Sequence, residues 1–344
     1  MTSRQQQQMM AQSLVEMGNI ESDQGNLEPA LSYLNEALEL FRGADCSEGQ
    51  GRVLNNIGLI LAHKGEYICA LELYVQGLEH YRNEDDAKGE AKILSNMAYA
   101  HKMNGNYVVA KELAQTAISL HQSHGARRFE GIVQGNLGNI FMELGEPTKA
   151  RHCYQQSIAI LEEIGAKRVL SIAILNLAGS SLLLDQPHRA LAELERSHEL
   201  QKGIGDQRVE AILLGVRGRC HLEFDERELA EEKLQMAFIK CHELGIPETG
   251  VWAAILAELR SRSTTDASSL CALLQEGHGY VATVPEEHAR FQARAAVVYC
   301  RLSMLEDARH AMSVAQAIRE QLHAGPRSEL VQLITEAQRK ISDF

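Results

Sequence analysis

Aromatic residues make up only 5% of this 344-residue chain, with one Trp, and there are only 6 Pro. Runs of Val, Ile, Thr and aromatic residues are short and isolated, which argues against any sheet-based fold. No stretch approaches the roughly 18 continuous apolar residues of a membrane-spanning helix. Met1-Thr2-Ser3-Arg4, followed by Gln5 to Gln8, lacks the apolar core of a secretory signal. A cytoplasmic location is the expectation.

Cysteine is sparse and unpatterned: Cys46, Cys69, Cys153, Cys220, Cys241, Cys271 and Cys300, an odd count with no CxxC. That usage suits free thiols in a reducing compartment. Cys220-His221 and Cys241-His242 lie too far apart for a zinc-ligand set. His121 and His124 sit one turn apart without a third ligand and read as solvated side chains. Basic residues are in deficit, 34 against 46 acidic, for a net charge of −12. Nucleic-acid binding, which rests on neutralising phosphates, is disfavoured. Neither a phosphate loop nor a nucleophile–base pair is visible, so no enzyme, cofactor or metal site is expected.

What the chain has in abundance is helix formers and a repeat. Small residues recur every forty positions: Gly18, Gly58, Ala98, Gly138, Ala178 and Gly218. A second column follows as Ala30, Ala70, Ala110, Ala150, Ala190 and Ala230, and a third as Ala37, Gly77, Ala117, Ser157, Ser197 and Ala237. Between the first two lies a breaker: Gly25, Gly65, Gly105 and Gly145, then Asp185 and Asp225. Each unit therefore reads as two helices, the first closed by a left-handed cap. Pro147 and Pro187 fall where a second helix tolerates Pro in its first turn. Small columns let helices approach closely, and Leu34, Tyr74, Tyr154, Leu194 and Leu234 fill the space between them.

The expected organisation is a tail over 1–10, six forty-residue units over 11–250 and a degenerate helical unit over 251–286. A further unit covers 287–323, and a polar-faced capping helix covers 328–344. The small columns resemble the tetratricopeptide repeat. The period of forty, with loop glycines Gly125, Gly165, Gly205 and Gly245, looks like the long-repeat subclass of kinesin light chains and Pins-type spindle-orientation adaptors. Asn136-Leu137-Gly138-Asn139 reads like the repeat core of the latter, and the subclass is also common in bacterial regulators. This resemblance implies an all-α, right-handed superhelical solenoid of antiparallel helix pairs with a concave, partner-binding groove.

Polar columns mark the candidate groove. Asn56, Asn96, Asn136 and Asn176 share one register, where Asn is a mediocre helix residue. An amide offers donor and acceptor together and can pair with any peptide bond. The resemblance implies that Asn at this position contacts ligand backbone; the competing reading is a structural ladder between repeats. A basic column, Lys88, Arg128, Arg168 and Arg208, lies eight residues before that register. By helical spacing, Lys88, Lys92, Asn96 and Tyr99 share a face, as do Arg128, Asn136 and Asn139, and Arg52, Asn55 and Asn56 begin the row. Arg grips carboxylates bidentately, so the pattern points to an acidic protein or peptide partner. The five-residue clamp of chaperone-binding tetratricopeptide domains is not reproduced: the matching positions hold Val15, Asn19, Asn56, Lys92 and Asn96, lacking two basic members. A scaffold or adaptor is the first reading. A sensor that changes pitch around a short signalling peptide is the second, and self-assembly of the array is left open.

Overall fold

The computed structural model describes residues 3–264 and 266–342. Met1, Thr2, Asp343 and Phe344, assigned above to the tail and the last helix, lie outside the described residues, as does Thr265. Among the described residues the chain forms 17 α-helices and no strand. The first four pairs are α1 (Ser3–Asp23) with α2 (Leu27–Gly43), α3 (Ser47–His63) with α4 (Tyr67–Asn83), α5 (Ala87–Met103) with α6 (Tyr107–Ser123), and α7 (Arg127–Glu143) with α8 (Pro147–Glu163). Then come α9 (Lys167–Leu183) with α10 (Pro187–Gln201), α11 (Gln207–Glu223) with α12 (Arg227–Leu244), α13 (Glu248–Arg260) with α14 (Ala267–Val281), and α15 (Pro285–Arg301) with α16 (Leu305–Leu322). A single helix, α17 (Glu329–Ser342), ends the series. Helix α1 starts at Ser3, so residues 3–10 form its first turns. Residues 251–286, expected to form a degenerate helical unit, hold most of α13, all of α14 and the start of α15.

Turn chemistry repeats with the columns. Gly25 N–H donates to Ser22 O and Asn26 N–H to Glu21 O, a double closure that needs a left-handed residue, and Gly25 has φ +83°. Asp185 and Asp225 occupy the same conformation at φ 56°, and Asp185 repeats both closures through Leu182 O and Ser181 O. Asp tolerates this region better than most side chains. Asp45 and Asp85, at φ 46° and 54°, take the inter-repeat place that Gly125, Gly165, Gly205 and Gly245 hold later. Pro147, Pro187 and Pro285 each open a helix.

The small columns are where helices touch. A Cβ at Gly58 would lie 2.6 Å from Tyr74 Cε1, and one at Gly138 would lie 2.5 Å from Tyr154 Cε1. At the equivalent register of α5 and α6 the pair is Ala98 and Ala114, so a larger first residue accompanies a smaller second one. The register continues into α13 without insertion, but there the small column holds Glu258.

The two buried tyrosines differ at the hydroxyl. Tyr154 Oη donates to Asn139 Oδ1 at 2.7 Å, whereas Tyr74 Oη has no hydrogen-bond partner among the described residues. Tyr154→Phe is expected to lower stability by about 0.5–1.5 kcal/mol. Tyr74→Phe should be neutral or slightly stabilising, because a buried hydroxyl without a bond is a cost. Urea midpoints of the two variants check this.

The chain divides into two compact units, Met1–Val133 and Gln134–Phe344. Unit 1 has a continuous core built on Leu14, Leu34, Phe41, Leu54 and Ile57. A core of unit 2 runs from Leu175 through Leu194, Leu234 and Trp252 to Leu259. Within unit 2 the last segment returns to α7: Gly325 N–H donates to Glu143 O at 2.9 Å.

Candidate protein-interaction site

In unit 1 the amides form a ladder. Asn56 Nδ2 donates to Asn19 Oδ1 at 2.9 Å, and Asn96 Nδ2 donates to Asn55 Oδ1 at 2.8 Å. Each bond joins a first helix to the first helix of the next pair. An amide has two donors and a two-lone-pair acceptor. Such a rung leaves Asn56 and Asn96 with acceptor capacity, and all four residues keep some solvent access. The structural and the binding readings of the column are thus compatible.

Basic side chains flank this ladder. Arg52 donates to Gln12 Oε1 and lies 5.8 Å from the Phe41 ring centroid, which fixes it. Lys92 lies 5.7 Å from the ring centroid of Phe129, itself exposed. Lys88, Lys92 and Arg128 are exposed and form no ion pair among the described residues. Tyr99 is partly exposed on the same face. His121 is buried rather than solvated: its Nε2 lies 3.1 Å from Ser95 Oγ and its ring stacks on Phe129. Burial, then Lys92, depresses its proton affinity.

Unit 2 places its predicted residues differently. Asn139 accepts from Tyr154 and so bonds to the second helix of its own pair. Arg168 pairs with Asp206 at 3.0 Å, and Arg208 with Glu248 at 3.1 Å. Both arginines are exposed, so these pairs contribute little stability. They do answer each charge from the following repeat. Asn136 is half-buried, and Asn176 lines a cavity of about 260 Å³.

That cavity carries residues the sequence reading missed. Arg219, Arg290 and Arg294 line it together with Trp252, Leu333 and Glu329 of α17. Arg219 Nη2 donates to Glu329 Oε1 at 2.7 Å, and Arg294 Nη2 lies 3.9 Å from the same oxygen. Arg290 Nη2 spans both oxygens of Glu143, at 2.7 and 2.8 Å. Arg294 Nη1 donates to Glu258 Oε2 at 2.7 Å, which explains a carboxylate in the small column. One signal was available: Glu287, Arg290, Arg294 and Arg301 succeed one another at three, four and seven residues along α15.

Burial alone would raise the Glu329 pKa, but Arg219, Arg290 and Arg294 outweigh it and hold it at about 2. A depressed carboxylate stabilises the fold above its unfolded value near 4.5, and that contribution disappears as pH falls toward about 2. Hydrogen exchange of α17 amides, corrected for intrinsic rate, should therefore accelerate over that interval. Unchanged protection in acid would contradict the assigned role of Glu329.

The tetratricopeptide repeat family model matches residues 9–83 and 89–163, which are four successive helix pairs. Residues 9–83 and 89–163 are tetratricopeptide repeats. No curated protein matches it in sequence. Among solved structures, the apo form of RapI aligns over 97% of this chain and 99% of its own, with a TM-score of 0.56 at 13% identity. A Rap protein complexed with Competence and Sporulation Factor aligns over 97% and 98%, with a TM-score of 0.58 at 12% identity. Aspartyl phosphate phosphatase F from Bacillus subtilis aligns over 84% and 76%, with a TM-score of 0.64 at 12% identity. At such identities the likeness concerns the fold. Tetratricopeptide arrays generally act as non-catalytic surfaces for other proteins, which supports a protein-interaction role. No helix of the described residues is long and apolar enough to cross a membrane.

Proposed function

We propose that this chain is an interaction scaffold whose unit 1 binds an extended acidic segment of another protein. The observation that carries the reading is the grouping of Lys88, Lys92 and Arg128, exposed and without ion pairs among the described residues, beside the Asn55–Asn96 rung. The cations grip side-chain carboxylates, and the free amide valences hold the ligand backbone. Binding to the backbone tolerates many ligand sequences, while the cations select for acidity. Arg168 and Arg208 contribute less, because Asp206 and Glu248 already answer them.

A sensor that binds a short signalling peptide is the second reading. It is favoured by the likeness along the whole chain to a Rap protein complexed with Competence and Sporulation Factor. The two differ in ligand length and induced change. A scaffold takes a longer segment with little rearrangement, and a sensor takes a short peptide with a large one.

The test is fluorescence anisotropy of labelled acidic peptides of graded length against wild type and Asn56→Ala/Asn96→Ala. Each lost amide contact should weaken binding by about 0.5–1.5 kcal/mol, with helicity retained and little response to salt. Unchanged affinity with a lowered melting temperature would assign the column to structure alone.

A further inference from the structure

The unit 2 cavity is built for a carboxylate, and the chain supplies one itself. Three arginines from α11 and α15 face the space in which Glu329 ends. Glu329 satisfies Arg219 closely and Arg294 only at 3.9 Å. Arg290 Nε, at the cavity, is buried without a hydrogen-bond partner among the described residues. Buried donors left unpaired are costly, so the site has capacity for a further acceptor. The remaining volume, about 260 Å³, is that of a side chain or two, and Asn176 of the amide column opens onto it.

The element that brings the carboxylate is lightly fixed at its outer side. Leu330, Ile334 and Ala337 are buried, whereas much of the opposite face of α17 is exposed. Its approach is set by Gly325 against the end of α7. Four turns with one apolar stripe on a scaffold helix are what a docked amphipathic segment looks like.

We infer that α17 is a ligand in cis: Glu329 occupies the Arg219–Arg294 cluster in place of an acidic side chain of a partner, and the partner binds unit 2 by displacing α17. Two exclusive occupants of one cluster make binding and α17 release reciprocal. The inference concerns unit 2 alone and stands whether or not unit 1 binds the same class of ligand.

The test uses the full chain carrying Lys88→Glu and Lys92→Glu, so that unit 1 is silenced. The probe is a fluorescein-labelled peptide of alternating Glu and Ala. Glu329→Gln empties the cluster, and Arg219→Gln damages it. Both should speed amide exchange across 330–342. Only Glu329→Gln should tighten the peptide, by about fivefold or more, the lower end of ordinary coupling; Arg219→Gln should weaken it. With α17 intact, saturating peptide should also speed exchange in that helix. Equal shifts of affinity in the two variants would overturn the inference, as would unaltered α17 exchange in Glu329→Gln. If either variant fails to fold, the peptide-induced exchange decides: its absence means that α17 is a fixed lid.

Discussion

Gly145→Ala is expected to be among the most damaging single substitutions in the chain. Gly145 has φ +72°, where an L side chain is strained by about 1–2 kcal/mol. A Cβ there would also lie 2.6 Å from Ser328 N and 2.7 Å from Arg327 C. These are backbone atoms and cannot swing aside, so an overpacking cost of about 1–3 kcal/mol adds to the strain. Gly65 provides the control. It has the same turn at φ +83° with open space around a would-be Cβ, so Gly65→Ala should cost only the strain. Gly325→Ala isolates the packing cost, since its Cβ would fall 1.9 Å from Leu144 O. Denaturant midpoints should rank Gly145→Ala below Gly65→Ala. Equal midpoints would mean that the 325–328 segment does not seat against the α7–α8 turn.

These contacts mark the limit of what the sequence discloses. The repeat was legible because every unit solves one packing problem in the same way: Gly58 faces Tyr74 as Gly138 faces Tyr154, so spacing alone exposes it. Asp45 and Asp85 extend the loop column under a different residue type, because the conformation and not glycine is what recurs. The column pattern breaks in the α13–α14 pair because Glu258 stands in the small column, where a partner 36 residues later, Arg294, makes it tolerable. Pairings of Glu143 with Arg290, or Arg219 with Glu329, span sequence separations of 147 and 110 residues. No local periodicity encodes them.

Of the candidate site, the register of the amide column was legible and its bonding was not. A rung such as Asn96 to Asn55 joins residues one position apart in their repeats, which depends on how neighbouring pairs are offset. Likewise, spacing placed Lys88 and Arg208 in one column, but only the fold gives Arg208 a Glu248 and leaves Lys88 without one among the described residues. The bend of Asn139 toward Tyr154 follows from a hydroxyl in the opposing helix.

Reversing the unpaired cations should have the largest effect on binding. Lys88→Glu, Lys92→Glu and Arg128→Glu together replace three attractions with three repulsions. Like charges facing each other cost several kcal/mol, so affinity for an acidic segment should fall by at least about 100-fold at low salt. The loss should shrink as salt rises, since exposed charges are screened over about 8 Å at physiological ionic strength. Helicity should be unchanged, because these side chains are exposed. Reversal of Arg168 and Arg208 should do less and also free Asp206 and Glu248. An equal effect from both sets, or one that ignores salt, would point to general charge rather than to the unit 1 face.

Lysine acetylation read by mass spectrometry, with and without a saturating acidic peptide, locates the bound segment on the chain. Lys88 and Lys92 lie on α5, whereas Lys111 and Lys233 lie on the second helices α6 and α12. Binding at the unit 1 face should slow labelling at Lys88 and Lys92 and leave Lys111 and Lys233 unaffected. Protection of Lys111 and Lys233 with Lys88 and Lys92 labelled at their free rate would contradict it.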